Sequence, residues 1–88
     1  MRSSYAWRKK AEQIKERANY LCEVCRDQGI FTYDHLEAHH IEKIREEKDK
    51  YLDDANLVCL CVSCHKRADA GELSKEYLQM LAGRRDAQ

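Results

Sequence analysis

The 88-residue sequence contains no proline, no internal repeat and no low-complexity tract. Nothing in it reads as a linker, so one domain covering residues 1–88 is expected. No apolar run approaches the roughly eighteen residues that a membrane-crossing helix requires. The opening segment, Met1 to Lys10, is charged and amphipathic and lacks the apolar stretch of a secretory signal. A cytoplasmic protein with no membrane partner is therefore expected. Net charge is also missing: sixteen Lys and Arg stand against sixteen Asp and Glu, which argues against a protein that simply coats a polyanion.

The charges are nevertheless unevenly spread. Met1–Arg26 carries seven basic residues against three acids, whereas Asp27–Asp54 carries nine acids against four bases. The basic end is the better phosphate-facing surface, unless its charges form only the solvated face of a first helix. Cores of this size rarely supply more than about 3–5 kcal/mol, so a staple is expected. Five cysteines are present to provide one.

Trp7, Ala11, Ile14, Ala18 and Leu21 recur at helical spacing and predict a helix from about Ser4 to Ala18. Cys22-Glu-Val-Cys25 reads as a tight knuckle, and Gly29 as the end of a turn before Ile30–Tyr33, an aromatic and β-branched run of strand type. Leu36–Ile44 reads as extended chain, Arg45–Asp54 as an exposed charged connection, and Asn56–Cys61 as a short strand. Val62–Ala70 suits a helix closed by Gly71. A last helix is expected after Ser74 as N-cap, burying Tyr77, Leu78 and Leu81 and stopping before Gly83.

Cys22-x-x-Cys25 and Cys61-x-x-Cys64 are separated by 35 residues. Each pair can place two thiolates on one side of a knuckle, and in a reducing compartment paired cysteines are more often metal ligands than disulfides. Together they predict a closed tetrahedral structural Zn²⁺ site, of a kind that contributes on the order of 10–16 kcal/mol to folding. A closed site has no open position, so any chemistry must come from elsewhere. Cys59 reads as a small buried apolar side chain on the same strand face as Cys61. Cys61-Val-Ser-Cys64-His65 also matches the C-x-x-C-H haem-attachment pattern, but haem attachment needs export and leaves Cys22 and Cys25 unexplained.

The interval between the knuckles exceeds the roughly 15–20 residues of simple zinc ribbons, and the excess holds Glu37-Ala-His39-His40-Ile41. Adjacent histidines on a strand point to opposite sides, so one can bind a metal while the other faces a different atom of the same substrate. His65 directly follows the last cysteine of the second pair, where zinc would fix its helix against His39.

Taken in order, Ser4-Tyr5-Ala6-Trp7-Arg8, Tyr20-Leu21-Cys22-Glu23-Val24-Cys25, Ala38-His39-His40-Ile41, Asn56-Leu57-Val58 and Leu60-Cys61-Val62-Ser63-Cys64-His65 resemble the HNH endonucleases, in particular their short free-standing phage and prophage members. The resemblance implies an α+β fold: a ββα-metal, treble-clef-like core with flanking N- and C-terminal helices, stapled by structural zinc. It implies metal-dependent hydrolysis of DNA phosphodiester bonds, by nicking or double-strand cleavage, leaving 5′-phosphate and 3′-hydroxyl ends. On it, His39 and His65 hold a catalytic divalent ion, His40 is the general base, and Asn56 braces the loop and orients that base. A neutral imidazole can take a proton at neutral pH, while a metal stabilises charge on the phosphate and the departing oxygen.

Many members of the family carry a histidine one turn after the first helix histidine, where this sequence has Asp69. An aspartate there could ligate Mg²⁺ or Mn²⁺ in preference to Ni²⁺ or Zn²⁺, or could simply face solvent. Arg8, Lys9, Lys66 and Arg67 are candidate phosphate contacts. Tyr5 and Trp7 read as helix-packing aromatics and His35 as a surface histidine. The compact form implies a host-cytoplasm location if the chain is phage-encoded, with a terminase or other packaging protein as a partner; oligomeric state is left open. The alternative to a nuclease is a zinc module that binds nucleic acid or protein without cutting, but such a module has no need of the histidine pair with Asn56.

Overall fold

The computed structural model describes residues 5–42 and 51–87. Helix α1 (Tyr5–Arg17) is followed by a short helix α2 (Glu23–Asp27), strand β1 (Leu36–His40), a 3-10 turn (Asp54–Asn56), strand β2 (Leu57–Cys61), and helices α3 (Val62–Asp69) and α4 (Lys75–Asp86). The expected helix start at Ser4, the far end of the extended run at Lys43 and Ile44, and the connection Arg45–Lys50 lie outside the described residues. Among the described residues no helix is long and apolar enough to cross a membrane.

Three helices end in the same way. Beyond α1, Asn19 takes a left-handed φ of +59°, with its N–H on Glu16 O at 2.9 Å and the Tyr20 N–H on Lys15 O at 2.8 Å. Gly29 and Gly71 repeat the pattern after α2 and α3, the latter with Glu72 N–H on Arg67 O at 2.9 Å. These paired bonds satisfy carbonyls that a helix end otherwise leaves open. The expected close of α3 at Gly71 is thus met. The N-cap of α4 is Ser74, whose hydroxyl accepts from the Tyr77 N–H at 3.1 Å.

β1 and β2 form an antiparallel ribbon with Leu36 opposite Cys61 and His40 opposite Leu57. β2 is buried along its whole length, and its alternation divides the core. Leu57 and Cys59 join Ile14 and Ala18 of α1, with Trp7 packed alongside. Val58 and Leu60 join Val24 of α2 and Leu78, Leu81 and Ala82 of α4. Cys59 and Cys61 therefore fall in different clusters despite their expected common face. Cys61 is the N-cap of α3, where the strand ends and alternation stops governing direction.

Two further expectations fail. Ile30–Tyr33 is not a strand: among the described residues a single ladder-like bond runs from the Cys22 N–H to Thr32 O at 2.9 Å, and Ile30, Phe31 and Tyr33 are exposed. Strand propensity is realised only through pairing, and this run pairs with neither strand of the ribbon. Nor does α4 stop before Gly83; it continues to Asp86. What holds the last turn is Arg85, whose side chain is 3% exposed and pairs with Glu23 at 3.0 Å. Arg85 also donates to the carbonyls of Leu57 and Asp54, both at 2.7 Å. Glu23 accepts in addition from the Cys59 N–H at 2.8 Å. This buried pair joins the first Cys knuckle, the strand and the turn before it.

Candidate active site and metal centre

Among the described residues two groups of side chains place their ligand atoms within 4.8 Å of one another. The first is Cys22, Cys25, Cys61 and Cys64. The knuckle is built by Cys22 capping α2, its sulfur accepting from the Cys25 N–H at 3.5 Å. The second pair sits at the first turn of α3. Cys25 Sγ lies 3.9 Å from Cys61 Sγ and 3.7 Å from Cys64 Sγ. Four thiolates bound at about 2.3 Å around a tetrahedral centre stand roughly 3.8 Å apart along each edge. The four cysteines are positioned to bind a metal ion, and none is in a disulfide.

Burial pushes the Cys22 and Cys64 thiols up, so charging the cluster needs a cation to stabilise it. Cys61 moves the other way: burial opposes ionisation, but bonds from the Cys64 N–H and neighbouring thiols more than offset it. Cys59 stands outside the group. Burial, with the Glu23 carboxylate behind it, pushes its thiol up to about 12, which fits an inert buried side chain.

The second group is His39, His65 and Asp69. β1 presents His39 toward α3, where the rings of His39 and His65 meet edge to face with centroids 4.8 Å apart. Asp69 Oδ2 is 3.7 Å from His65 Nε2, one turn along α3. A site of two imidazoles and one carboxylate suits a divalent ion that keeps open positions for water or substrate.

His40 points to the other face of the ribbon. Its ring stacks on Trp7 of α1 at 4.7 Å and on Tyr51 at 5.3 Å, and the two aromatics are themselves 5.4 Å apart. His40 Nε2 lies 3.0 Å from the Tyr51 carbonyl. A carbonyl can only accept, so Nε2 carries the proton and Nδ1 keeps its lone pair. Trp7 is the helix-packing residue expected, and it also walls the His40 ring.

Asn56, 4% exposed, closes the chain on either side of the undescribed residues 43–50. Its Oδ1 accepts from the Glu42 N–H at 2.8 Å, its Nδ2 donates to the Glu42 carbonyl at 3.3 Å, and its own carbonyl accepts from the Ile41 N–H at 2.8 Å. It thereby pins the two residues that follow His40. The four basic candidates occupy two helices. Arg8 and Lys9 are exposed on α1, against the His40 face, and Lys66 is exposed on α3 beside His65. Arg67 reaches Glu72 at 3.5 Å. His35 is exposed, at a φ of +53°, and lies outside both metal groups.

Sequence reasoning missed two neighbours of the site. Tyr51 is reached across an interval with no periodic signal. Glu37, whose carboxylate pairs with His65 Nδ1, stands two residues before His39, and the strand period of two would have placed both on one face.

A family model described as HNH endonuclease matches residues 22–71. Among solved structures the chain is similar to the HNH endonuclease of the deep-sea thermophilic bacteriophage GVE2, crystallised with manganese ion. That likeness has a TM-score of 0.73 at 30% identity, covering 81% of this chain and 76% of the other. No curated protein matches the chain. The matched segment runs from the first knuckle through the ribbon to the end of α3, more than half of the sequence, and the protein belongs to the HNH endonuclease family.

Proposed function

We propose that the whole chain, residues 1–88, is one domain that hydrolyses DNA phosphodiester bonds with a divalent ion held by His39, His65 and Asp69, while a structural Zn²⁺ held by the four cysteines fixes the frame. What supports this reading is the convergence of two imidazoles and a carboxylate on one face of the ribbon, beside a histidine on the other face whose protonated nitrogen is tied to a carbonyl.

When bound, the divalent ion supplies charge neutralisation at the phosphate and the departing 3′ oxygen. His40 accepts the proton of the attacking water at Nδ1. Its Nε2–H stays on the Tyr51 carbonyl, and the Trp7 ring limits its rotation. His40 is the last residue of β1, so a phosphate seated at that end of the ribbon borders both faces. Asn56 keeps that end closed through its bonds to Ile41 and Glu42. Arg8 and Lys9 on one side and Lys66 and Arg67 on the other contact the flanking backbone. Mn²⁺ or Mg²⁺ suits the mixed nitrogen and oxygen donors, and manganese accompanies the similar phage enzyme.

The test is a supercoiled-plasmid assay in EDTA, Mg²⁺, Mn²⁺, Ni²⁺ or Zn²⁺. Nicked or linear product that requires added metal and falls at least about 100-fold in a folded His40→Ala variant is expected. A zinc-loaded wild type that leaves the plasmid intact in every metal would turn the reading toward a binding module.

A further inference from the structure

Glu37 has no part in the reading above, yet its carboxylate pairs with Nδ1 of His65 across the face of the ribbon. It is not one of the converging ligands, and it meets the site through its pairing with His65. β1 places Glu37 opposite Leu60 and His39 opposite Val58, on the one face that α3 covers.

The two nitrogens of an imidazole are not equivalent. A carboxylate oxygen accepts a hydrogen bond, so Nδ1 of His65 is the nitrogen that carries the proton. The lone pair then sits on Nε2, which lies 3.7 Å from Asp69 Oδ2. A ring without this partner is free to adopt the other tautomer, whose Nε2 holds a hydrogen where a ligand needs a lone pair, and free to turn about its own bonds. Pairing of a ligand histidine with a carboxylate both orients the ring and raises its basicity toward a metal.

We infer that Glu37 is a positioning residue, which sets the tautomer and orientation of His65 so that Nε2 is presented to a divalent cation. The inference rests on the reading of His39, His65 and Asp69 as a metal site. Half of the Glu37 side chain is exposed, so its effect belongs at the lower end of the roughly 10–100-fold range seen for such partners. That exposure also leaves the fold little dependent on it.

The experiment uses the full, zinc-loaded chain. Mn²⁺ binding is followed by electron paramagnetic resonance for wild type, Glu37→Gln, Glu37→Ala and His65→Ala, and the His65 tautomer is read from long-range ¹H–¹⁵N NMR spectra of the metal-free site. Wild type is expected to show a single Nδ1–H tautomer. Glu37→Ala is expected to lose that tautomer and bind Mn²⁺ about tenfold more weakly. Glu37→Gln keeps a carbonyl acceptor and is expected to retain most of the tautomer and a smaller part of the affinity. An unchanged tautomer and unchanged Mn²⁺ affinity in Glu37→Ala overturns the role of Glu37 while leaving the metal site intact. Equal Mn²⁺ binding by wild type and His65→Ala overturns the metal site itself, and the role of Glu37 with it.

Discussion

Replacing Arg85 with methionine keeps most of its volume and removes its charge from a place where little else can compensate. In the native chain the guanidinium satisfies Glu23 at 3.0 Å and the carbonyls of Leu57 and Asp54 at 2.7 Å. The variant leaves the Glu23 carboxylate, 8% exposed, with the Cys59 N–H as its remaining donor. Removing one member of a buried pair costs about 3–5 kcal/mol. Each kcal/mol moves Tm by about 4–8 °C in a domain of this length, so a fall on the order of 20 °C is expected. Burial already pushes the Glu23 carboxyl up, against the pull of the Cys59 N–H and of Arg85. A carboxyl raised in the fold adds stability below its unfolded pKa and loses it as pH rises through the folded one. Without Arg85 the rise is larger, so the deficit of Arg85→Met should deepen as pH increases from about 5 to 7. Urea unfolding at fixed excess Zn²⁺ measures it, and Glu23→Gln in the same background should recover part of the loss. A deficit below about 1 kcal/mol, flat with pH and unaffected by Glu23→Gln, would refute the assignment of Arg85 as a buried strut.

Treating the chain with a strong chelator, to strip the Zn²⁺ proposed at the four cysteines, should unfold it reversibly, seen as loss of helical circular dichroism that returns with Zn²⁺. Cys64→Ala should abolish tight zinc binding, whereas Cys59→Ala should keep one tightly bound zinc per chain by metal analysis. Trp7→Leu removes the ring stacked on His40 at 4.7 Å, and kcat for nicking should fall about threefold to tenfold with KM little changed. Burial and the bond to Asp27 at 2.6 Å push the Tyr77 phenol up to about 12. Its contribution to stability is complete below about pH 10 and is lost as pH rises through about 12. An ultraviolet titration should show this late step vanish in Tyr77→Phe and move down in Asp27→Asn.

The parts of this molecule governed by local rules could be read from the chain. The helical spacing of Trp7, Ile14 and Ala18 places α1, and the hydroxyl of Ser74 and the left-handed Gly71 mark helix ends within a residue or two. The paired cysteines announce their own convergence, because two knuckles with the right spacing have few other uses. What escaped reading depends on partners far away in sequence. Ile30–Tyr33 has strand-forming side chains, but whether a strand forms depends on an available edge. Gly83 looks like a stop, but Arg85 is held by Glu23, 62 residues earlier. No local pattern encodes that distance. Glu37 sits between these cases: its face was implied by its spacing from His39, while its partner His65 comes from another element.

The ribbon is also a partition. Because His39 and His40 are neighbours in a strand of period two, the backbone of β1 itself keeps the imidazole grouped with His65 and Asp69 apart from the one stacked on Trp7. Slipping β1 by one residue against β2 would turn His40 toward α3 and His39 toward Trp7, exchanging the two compartments without altering a single side chain. The bonds that hold the strands in step, from Leu36–Cys61 to His40–Leu57 with Asn56 locking the open end, therefore act as an alignment gauge. An extra residue inserted ahead of His39 within β1 should silence the protein while leaving its composition, its cysteines and all four histidines in place.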